Sequence, residues 1–521
     1  MNTMNISGNN SRYEGSDLSR RDTLKLGVAG VALALAAATA CELGSAEAAL
    51  PAAGAAPEWL TLLGQSEIGG RDYAPDVEGE LPQGLTGSLY RNGPGLFERG
   101  GVRKPHLLDG DGLVQRLSFA DGQVRYQNAF VRTSRFEKEQ AAGRYLQPSW
   151  SMRKPGGMLA NIGTPHIGSQ AGVTVYPFNG ELYAFDEITP AYLLDPTNLA
   201  TLGTKQLGDP TQNFMLKAHT KIDPVTGDWL LTAITHGPTM KLHAIVHGAD
   251  GRLKSHQVID SPRQVYIHDF FATEHYFVFA LQPLYISLLG LLSGTSSYIE
   301  AMKWRGADGT LVMIVPRDGG APRTFEAPGA FMWHALNAFE RGTEIVADFV
   351  AYDAPDHFAG HDALMVQLMQ GKLAPAKEAG TLRRYRIDLR DGKLREEILS
   401  ADTHEFPIVD PRRATLAHRI GYMTAGGLHA INTGVKRLDF ETGKTQAFDF
   451  GSASAVGEPV FAAKPGGKDD EGWLITQVLD GETKKTIFAI FDAQTVEAGP
   501  IAKVRLTHSL PISFHGWWNA A

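Results

Sequence analysis

Four histidines set among aromatic and apolar residues offer the clearest chemistry in the chain. They stand in Lys217-Ala218-His219-Thr220-Lys221, Tyr266-Ile267-His268-Asp269-Phe270-Phe271, Phe331-Met332-Trp333-His334-Ala335-Leu336 and Ser513-Phe514-His515-Gly516-Trp517-Trp518. An imidazole in such surroundings is costly to bury unless its nitrogens are satisfied by hydrogen bonds or by a metal. One transition metal would satisfy all four at once. Separate hydrogen-bonded core histidines would do so too, and in a chain with 17 His the spacing alone does not choose between the two. No pair has the short spacing of a His-Glu-x-x-His site, so a shared metal needs segments far apart in sequence to converge.

The elements that would bring them together read as strands. Short apolar runs alternate with turn dipeptides: Leu117-Ser118-Phe119 before Asp121-Gly122, Val173 to Tyr176 before Asn179-Gly180, and Leu382 to Leu389 before Asp391-Gly392. Trp229 to Thr232, Ile345 to Val350 and Trp473 to Val478 continue the pattern. This is the pattern of an antiparallel all-β chain built from hairpins. Helical patterns are confined to segments such as Phe136 to Gly143 and Asp362 to Gln370. No Gly-rich phosphate loop follows a strand, which argues against a nucleotide-binding α/β fold. An all-β chain of this length divides into sandwiches or closes radially, and the absence of a Pro/Ser linker inside Leu81 to Trp518 favours a propeller.

With 521 residues, 43% hydrophobic and 20% charged, the chain has the composition of a soluble globular protein. A net charge of -8 without a basic stripe makes nucleic acid an unsuitable partner and leaves a small lipophilic ligand as the better one. Residues 1–48 read as a twin-arginine-type signal peptide: Arg20-Arg21, the apolar run Leu26 to Ala40, and Ala46-Glu47-Ala48 as a cleavage site. The alternative readings are an ordinary secretory signal, an uncleaved anchor, or a lipoprotein site at Cys41. Export machinery would then be a partner, and the mature protein would be periplasmic or exported, with or without membrane association. The single cysteine, Cys41, falls inside this segment, so the mature chain would have no thiol for disulfides, zinc-thiolate sites or iron-sulfur clusters. Residues 49–80 read as an N-terminal extension and 81–521 as one domain. The uncharged stretch Leu281 to Leu292 is too short to span a bilayer. It reads as a buried helix or strand pair, or as an apolar lip making peripheral membrane contact.

The chain resembles the carotenoid cleavage oxygenases. The resemblance is carried by Leu81-Pro82-Gln83-Gly84-Leu85-Thr86-Gly87, Tyr90-Arg91-Asn92-Gly93-Pro94, His106-Leu107-Leu108-Asp109-Gly110-Asp111-Gly112, Val315-Pro316-Arg317, Glu405-Phe406-Pro407, Gly457-Glu458-Pro459-Val460-Phe461 and Phe514-His515-Gly516. It implies a seven-bladed β-propeller, with loops and short helices forming a cap over an axial metal site. It also implies one Fe(2+) per chain, held by His219, His268, His334 and His515. Glu187, Glu405 and Glu458 would each accept a hydrogen bond from a ligand imidazole, which fixes ring orientation and raises ligand basicity. The imidazole set by itself is equally compatible with copper, nickel or zinc, so iron comes from the resemblance.

The implied activity is a dioxygenase that adds both atoms of molecular oxygen across a conjugated double bond of a carotenoid or apocarotenoid, giving two carbonyl products. No catalytic residue beyond the metal centre is implied. Stilbene-type (lignostilbene) cleavage is an alternative, as is a non-oxidative isomerase or pigment-binding propeller on the same scaffold. Stilbene-cleaving relatives carry a lysine just before the first of the three glutamates, whereas this chain has Asp186, which weakens the phenolic reading and makes the pocket near Glu187 less apolar. Phe270, Phe271, Phe331, Trp333 and Trp517 lie beside the histidines as either cavity walls or plain core.

Overall fold

Hairpin turns set the architecture. At Asp121-Gly122 and Asn179-Gly180 both central residues have positive φ (51° and 69°, 49° and 76°), the backbone twist that matches adjacent antiparallel strands. The computed structural model of the chain describes residues 54–521 apart from 164–166, 189, 374–378 and 428–430. The proposed signal peptide lies outside the described residues.

Seven sheets of four to six strands form a β-propeller. In blade order around the ring the innermost strands are His515–Ala520, Thr174–Phe178, Met215–Ile222, Phe271–Ala272, Phe331–Arg341, His404–Ile408, and Ser454–Val456 with Val460–Ala463. The core sits between the blades rather than within them. Trp229 of the third blade packs on Phe178 and Tyr183 of the second, with ring centroids 4.7 and 5.0 Å apart, and its indole N–H donates to Thr220 Oγ1 at 2.8 Å. Leu89 and Leu117 of the first blade likewise share one cluster with Ile475 and Phe488 of the seventh. Helices are few and short. Ser134–Ala142 and Leu364–Met369 fall where the sequence pattern places them.

The ring is closed by both ends of the described chain. His515–Ala520 pairs with Gly87–Leu96 as the inner strand of the first blade, and Asp76–Gly79 pairs with Ala502–Arg505 as the outer strand of the seventh. Asp72–Tyr73 also pairs with Gln123–Phe130. The boundary drawn before Leu81 therefore shifts: strands within 72–79 are part of the propeller, and the compact unit runs from Ala52 to Ala521. Asp76–Gly79 is exposed at every position, so it carries no apolar alternation for a sequence reading to detect.

Leu281 to Leu292 splits between its two readings. Leu284–Ile286 forms a strand with Met302–Trp304, and Leu288–Leu292 is a helix with no buried residue. Among the described residues no helix is long and apolar enough to cross a membrane.

The fold also buries histidines that take no part in the four-histidine group. Burial holds His243, His404 and His236 down to about 4, helped respectively by His256, Lys436 and Lys217. In the unfolded chain each titrates near ~6.5. Between these values the unfolded chain takes up protons that the folded chain refuses, so stability is full above about 6.5 and falls as pH falls toward about 4. The denaturant midpoint should therefore be lower at pH 5 than at pH 7.5; an equal or higher midpoint at pH 5 would contradict the assignment.

Candidate metal centre

Each candidate histidine sits at a break in a strand ladder or just at or before the start of a strand. His219 lies in Met215–Ile222, whose register against Trp229–Thr235 shifts between Leu216 and Thr220. His334 lies in Phe331–Arg341, where the register shifts on both sides of Ala335. His268 lies three residues before the short strand Phe271–Ala272, and His515 opens the last strand opposite Asn92. Such irregularities re-aim side chains that a regular ladder would place alternately on its two faces. Here they turn four imidazoles from four blades onto one point. One nitrogen from each lies within 4.8 Å of the others, and the Nε2 atoms of His219 and His268 are 3.1 Å apart. All four side chains are buried, at 7%, 5%, 7% and 3% exposure for His219, His268, His334 and His515.

The opposite ring nitrogens meet carboxylates. His268 Nδ1–H donates to Glu187 Oε1 at 2.5 Å, His334 Nδ1–H to Glu405 Oε2 at 2.5 Å, and His515 Nδ1–H to Glu458 Oε1 at 3.0 Å. Each donation leaves the Nε2 lone pair as the free electron pair, directed at the common point. The three expected glutamates are thus all in place behind their histidines. Glu405 also accepts from Tyr352 OH at 3.2 Å and from the Phe406 N–H, while Glu458 accepts from the Gly516 N–H at 2.8 Å.

His219 differs, its nearest carboxylate being Asp269, whose Oδ2 lies 3.8 Å from Nδ1. Asp269 is fully buried and accepts from Lys221 Nζ at 3.0 Å and from the Ala335 N–H at 2.8 Å, so it ties three inner strands together. The sequence reading missed it because an aspartate next to a histidine has no distinctive spacing. Asp186 is buried but faces elsewhere. It accepts from the backbone N–H of Gln170, Ala171 and Ile188 and from Ser169 Oγ, so it orders its own loop and does not line the cavity as the sequence reading supposed.

Electrostatics favours the neutral imidazole at three of the four positions. Burial, and then the neighbouring histidines, hold His219 and His268 well below the ordinary value; burial also lowers His515, against Glu458. Burial acts the same way on His334, but Glu405 outweighs it and raises the net value. Buried imidazoles converging on one point, three of them oriented by carboxylates, are the donor set of a metal site, and the four-histidine cluster fits one.

The ligand strands are fastened by residues of the N-terminal motifs. Arg91 is wholly buried and donates to Ser513 Oγ at 2.7 Å, to the Glu458 carbonyl at 2.7 Å and to the Phe514 carbonyl at 3.3 Å. Asn92 Nδ2 donates to the carbonyls of Ala171 and Thr174. Gly93 must be glycine, since a Cβ there would come within 2.6 Å of the Ile512 carbonyl oxygen.

An apolar cavity of 70 Å³ adjoins the histidines, walled by Leu108, Trp150, Val173, Trp333, Phe406 and Phe514. Of the five aromatic residues singled out in the sequence, Trp333 lines this cavity and Trp517 lines a separate pocket past His219, while Phe270, Phe271 and Phe331 are core. A larger cavity of 560 Å³ lies outward, walled partly by Leu288, Leu291 and Leu292. Its Tyr298 packs on Trp150 of the inner cavity at 5.1 Å.

Comparison with known proteins agrees with this geometry. The profile of the retinal pigment epithelial membrane protein family matches residues 66–520. The chain is 31% identical over 476 residues to apocarotenoid-15,15'-oxygenase of Synechocystis sp., covering 88% of this chain and 96% of that one. It is 29% identical over 478 residues to isoeugenol monooxygenase of Pseudomonas putida, covering 85% and 94%. Among solved structures it superposes on cobalt-substituted Synechocystis apocarotenoid oxygenase with a TM-score of 0.82 at 29% identity, covering 89% of this chain and 99% of that one. The chain belongs to the retinal pigment epithelial membrane protein family, that of the carotenoid cleavage oxygenases, and is an oxygenase of that type.

His334→Ala should lower retained metal at least about tenfold after dialysis against a chelator, and Glu405→Gln should weaken metal binding by about 10- to 100-fold. Metal content per chain, measured on folded protein, checks both. Wild-type occupancy in His334→Ala would remove His334 from the ligand set.

Proposed function

We propose that the chain is a ferrous-iron dioxygenase that cleaves a conjugated carbon–carbon double bond of a carotenoid or apocarotenoid into two carbonyl products, with His219, His268, His334 and His515 holding the iron. The observation that carries this reading is the convergence of four buried imidazoles, three of them backed by glutamate, at the wall of an apolar cavity. One oxygen atom goes to each product, and the alkene supplies the electrons, so no separate reductant is required. Bound iron(II) supplies the activation of dioxygen that no side chain provides.

The chain's own residues orient and exclude. Glu187, Glu405 and Glu458 hold three rings in place through their Nδ1–H donations, and Trp150, Trp333 and Phe514 keep the reacting face dry. The position just before Glu187, occupied by the inward-satisfied Asp186, offers no cation to a phenol, which supports the carotenoid class over the phenolic one. The test is turnover of ferrous-reconstituted protein under labelled dioxygen, with carbonyl exchange controlled, on apocarotenals, carotenoids and phenolic alkenes. Label in both products of an apocarotenoid or carotenoid is expected. Turnover without oxygen uptake would replace this reading with an isomerase.

We also propose that the protein draws its substrate from a membrane. Leu289 and Leu292 are 70% and 51% exposed beside the outer cavity, and Leu159 and Ile162 are 79% and 51% exposed on a neighbouring segment joined to them by the Gly163 N–H to Leu292 carbonyl hydrogen bond of 2.9 Å. Contiguous exposed apolar groups of this kind mark a surface that leaves water. Leu289→Glu with Leu292→Glu should reduce co-sedimentation with lipid vesicles several-fold while leaving metal content unchanged; undiminished co-sedimentation would count against this face. Export on a twin-arginine signal, with the mature protein acting in the periplasm, remains part of the proposal on the strength of Arg20-Arg21 and Ala46-Glu47-Ala48.

A further inference from the structure

The three glutamates behind the histidines are not equivalent. Among the described residues Glu405 and Glu458 have histidine as their only ion-pair partner, whereas Glu187 is also bound by a lysine. Lys217 Nζ donates to Glu187 Oε2 at 2.7 Å, and both side chains are 1% exposed. The other oxygen of Glu187 accepts from His268 Nδ1–H at 2.5 Å and from Tyr266 OH at 3.1 Å. The ammonium also lies 5.1 Å from the centroid of the Tyr266 ring. One carboxylate therefore stands between a full positive charge and a ligand imidazole.

A carboxylate behind a ligating histidine raises its basicity and so strengthens its donation to the metal. A cation on the same carboxylate draws that density back, and in a dry site the effect is poorly screened. Stability does not call for the pair, because a buried ion pair can be replaced by apolar groups of similar volume with little loss. Its place on the ligand-bearing strand, two residues before His219, puts the charge where it acts on the metal.

We propose that Lys217 is a positioning residue that tempers the donation of His268 through Glu187, and so sets the metal affinity and the redox potential of the centre. This rests on the reading of the four histidines as metal ligands. Removing the ammonium while leaving Glu187 makes the site more negative, which tightens divalent-metal binding and favours the ferric over the ferrous state.

The test uses the full chain, with Co(II) affinity measured by chelator competition and the midpoint potential measured on iron-loaded protein. Lys217→Met should bind Co(II) about tenfold more tightly and shift the potential down by about 59 mV, the one-electron equivalent of a tenfold change. Lys217→Arg, which keeps the charge, should stay close to wild type in both. Should Lys217→Met fail to fold with an unpaired buried carboxylate, Glu187→Gln and Glu187→Gln/Lys217→Met decide the matter, since the double variant leaves neither charge buried alone. The double variant should bind Co(II) about tenfold more tightly than Glu187→Gln. Equal affinity and equal potential between proteins with and without Lys217 would overturn the proposal. Failure of the wild-type chain to bind one metal would instead overturn the four-histidine reading.

Discussion

Four imidazoles must keep their lone pairs pointed at one buried spot, and the rest of the structure follows from that constraint. Left alone, the rings would turn toward hydrogen-bond donors or take up protons. Burial opposes protonation at His219, His268 and His515, and the glutamates behind three of the rings take the Nδ1–H that would otherwise be free to point inward. This arrangement needs strands arriving from several directions with their ladders broken at the ligand. A propeller supplies the directions, because each blade sends its inner strand toward a shared axis. The register shifts around Leu216–Thr220 and Ala335 supply the breaks.

The same constraint joins the metal site to the closure of the ring. His515 stands on the strand that completes the first blade, and Arg91 grips the segment around it from the neighbouring strand. Burial lowers the Arg91 guanidinium to about 10, still far above neutrality, so it enters the core as a cation facing Glu458. A metal held in part by the closing strand would stabilise the closed ring, since whatever binds only the folded chain adds its binding free energy to folding.

Much of this was legible in the sequence, for identifiable reasons. Asp121-Gly122 and Asn179-Gly180 marked hairpins because only certain residues tolerate two successive positive φ values. The four histidines and three glutamates were legible through the motifs around them, not through their spacing, since radial convergence leaves no short interval to detect. Lys217 and Asp269 were missed because a charged residue beside a histidine reads as a solvated strand end until burial is known. The strand Asp76–Gly79 was missed because it pairs through its backbone and buries no side chain. Blade repetition was hidden by insertions between strands, such as the segment holding Leu288–Leu292 between Tyr276–Leu281 and Thr310–Pro316.

The buried charges around the centre complete the physical picture. Glu187, Glu405, Glu458 and Asp269 face Lys217, Lys221 and Arg91, which leaves one negative charge in excess. A divalent cation converts that excess into a single positive charge of the same size. Neither state concentrates a large uncompensated charge in a dry interior, where an unpaired ion is costly. Four carboxylates without the cations would leave the metal-free site strongly negative. The lysines on either side of His219 thus hold the charge around the centre to one unit in either state.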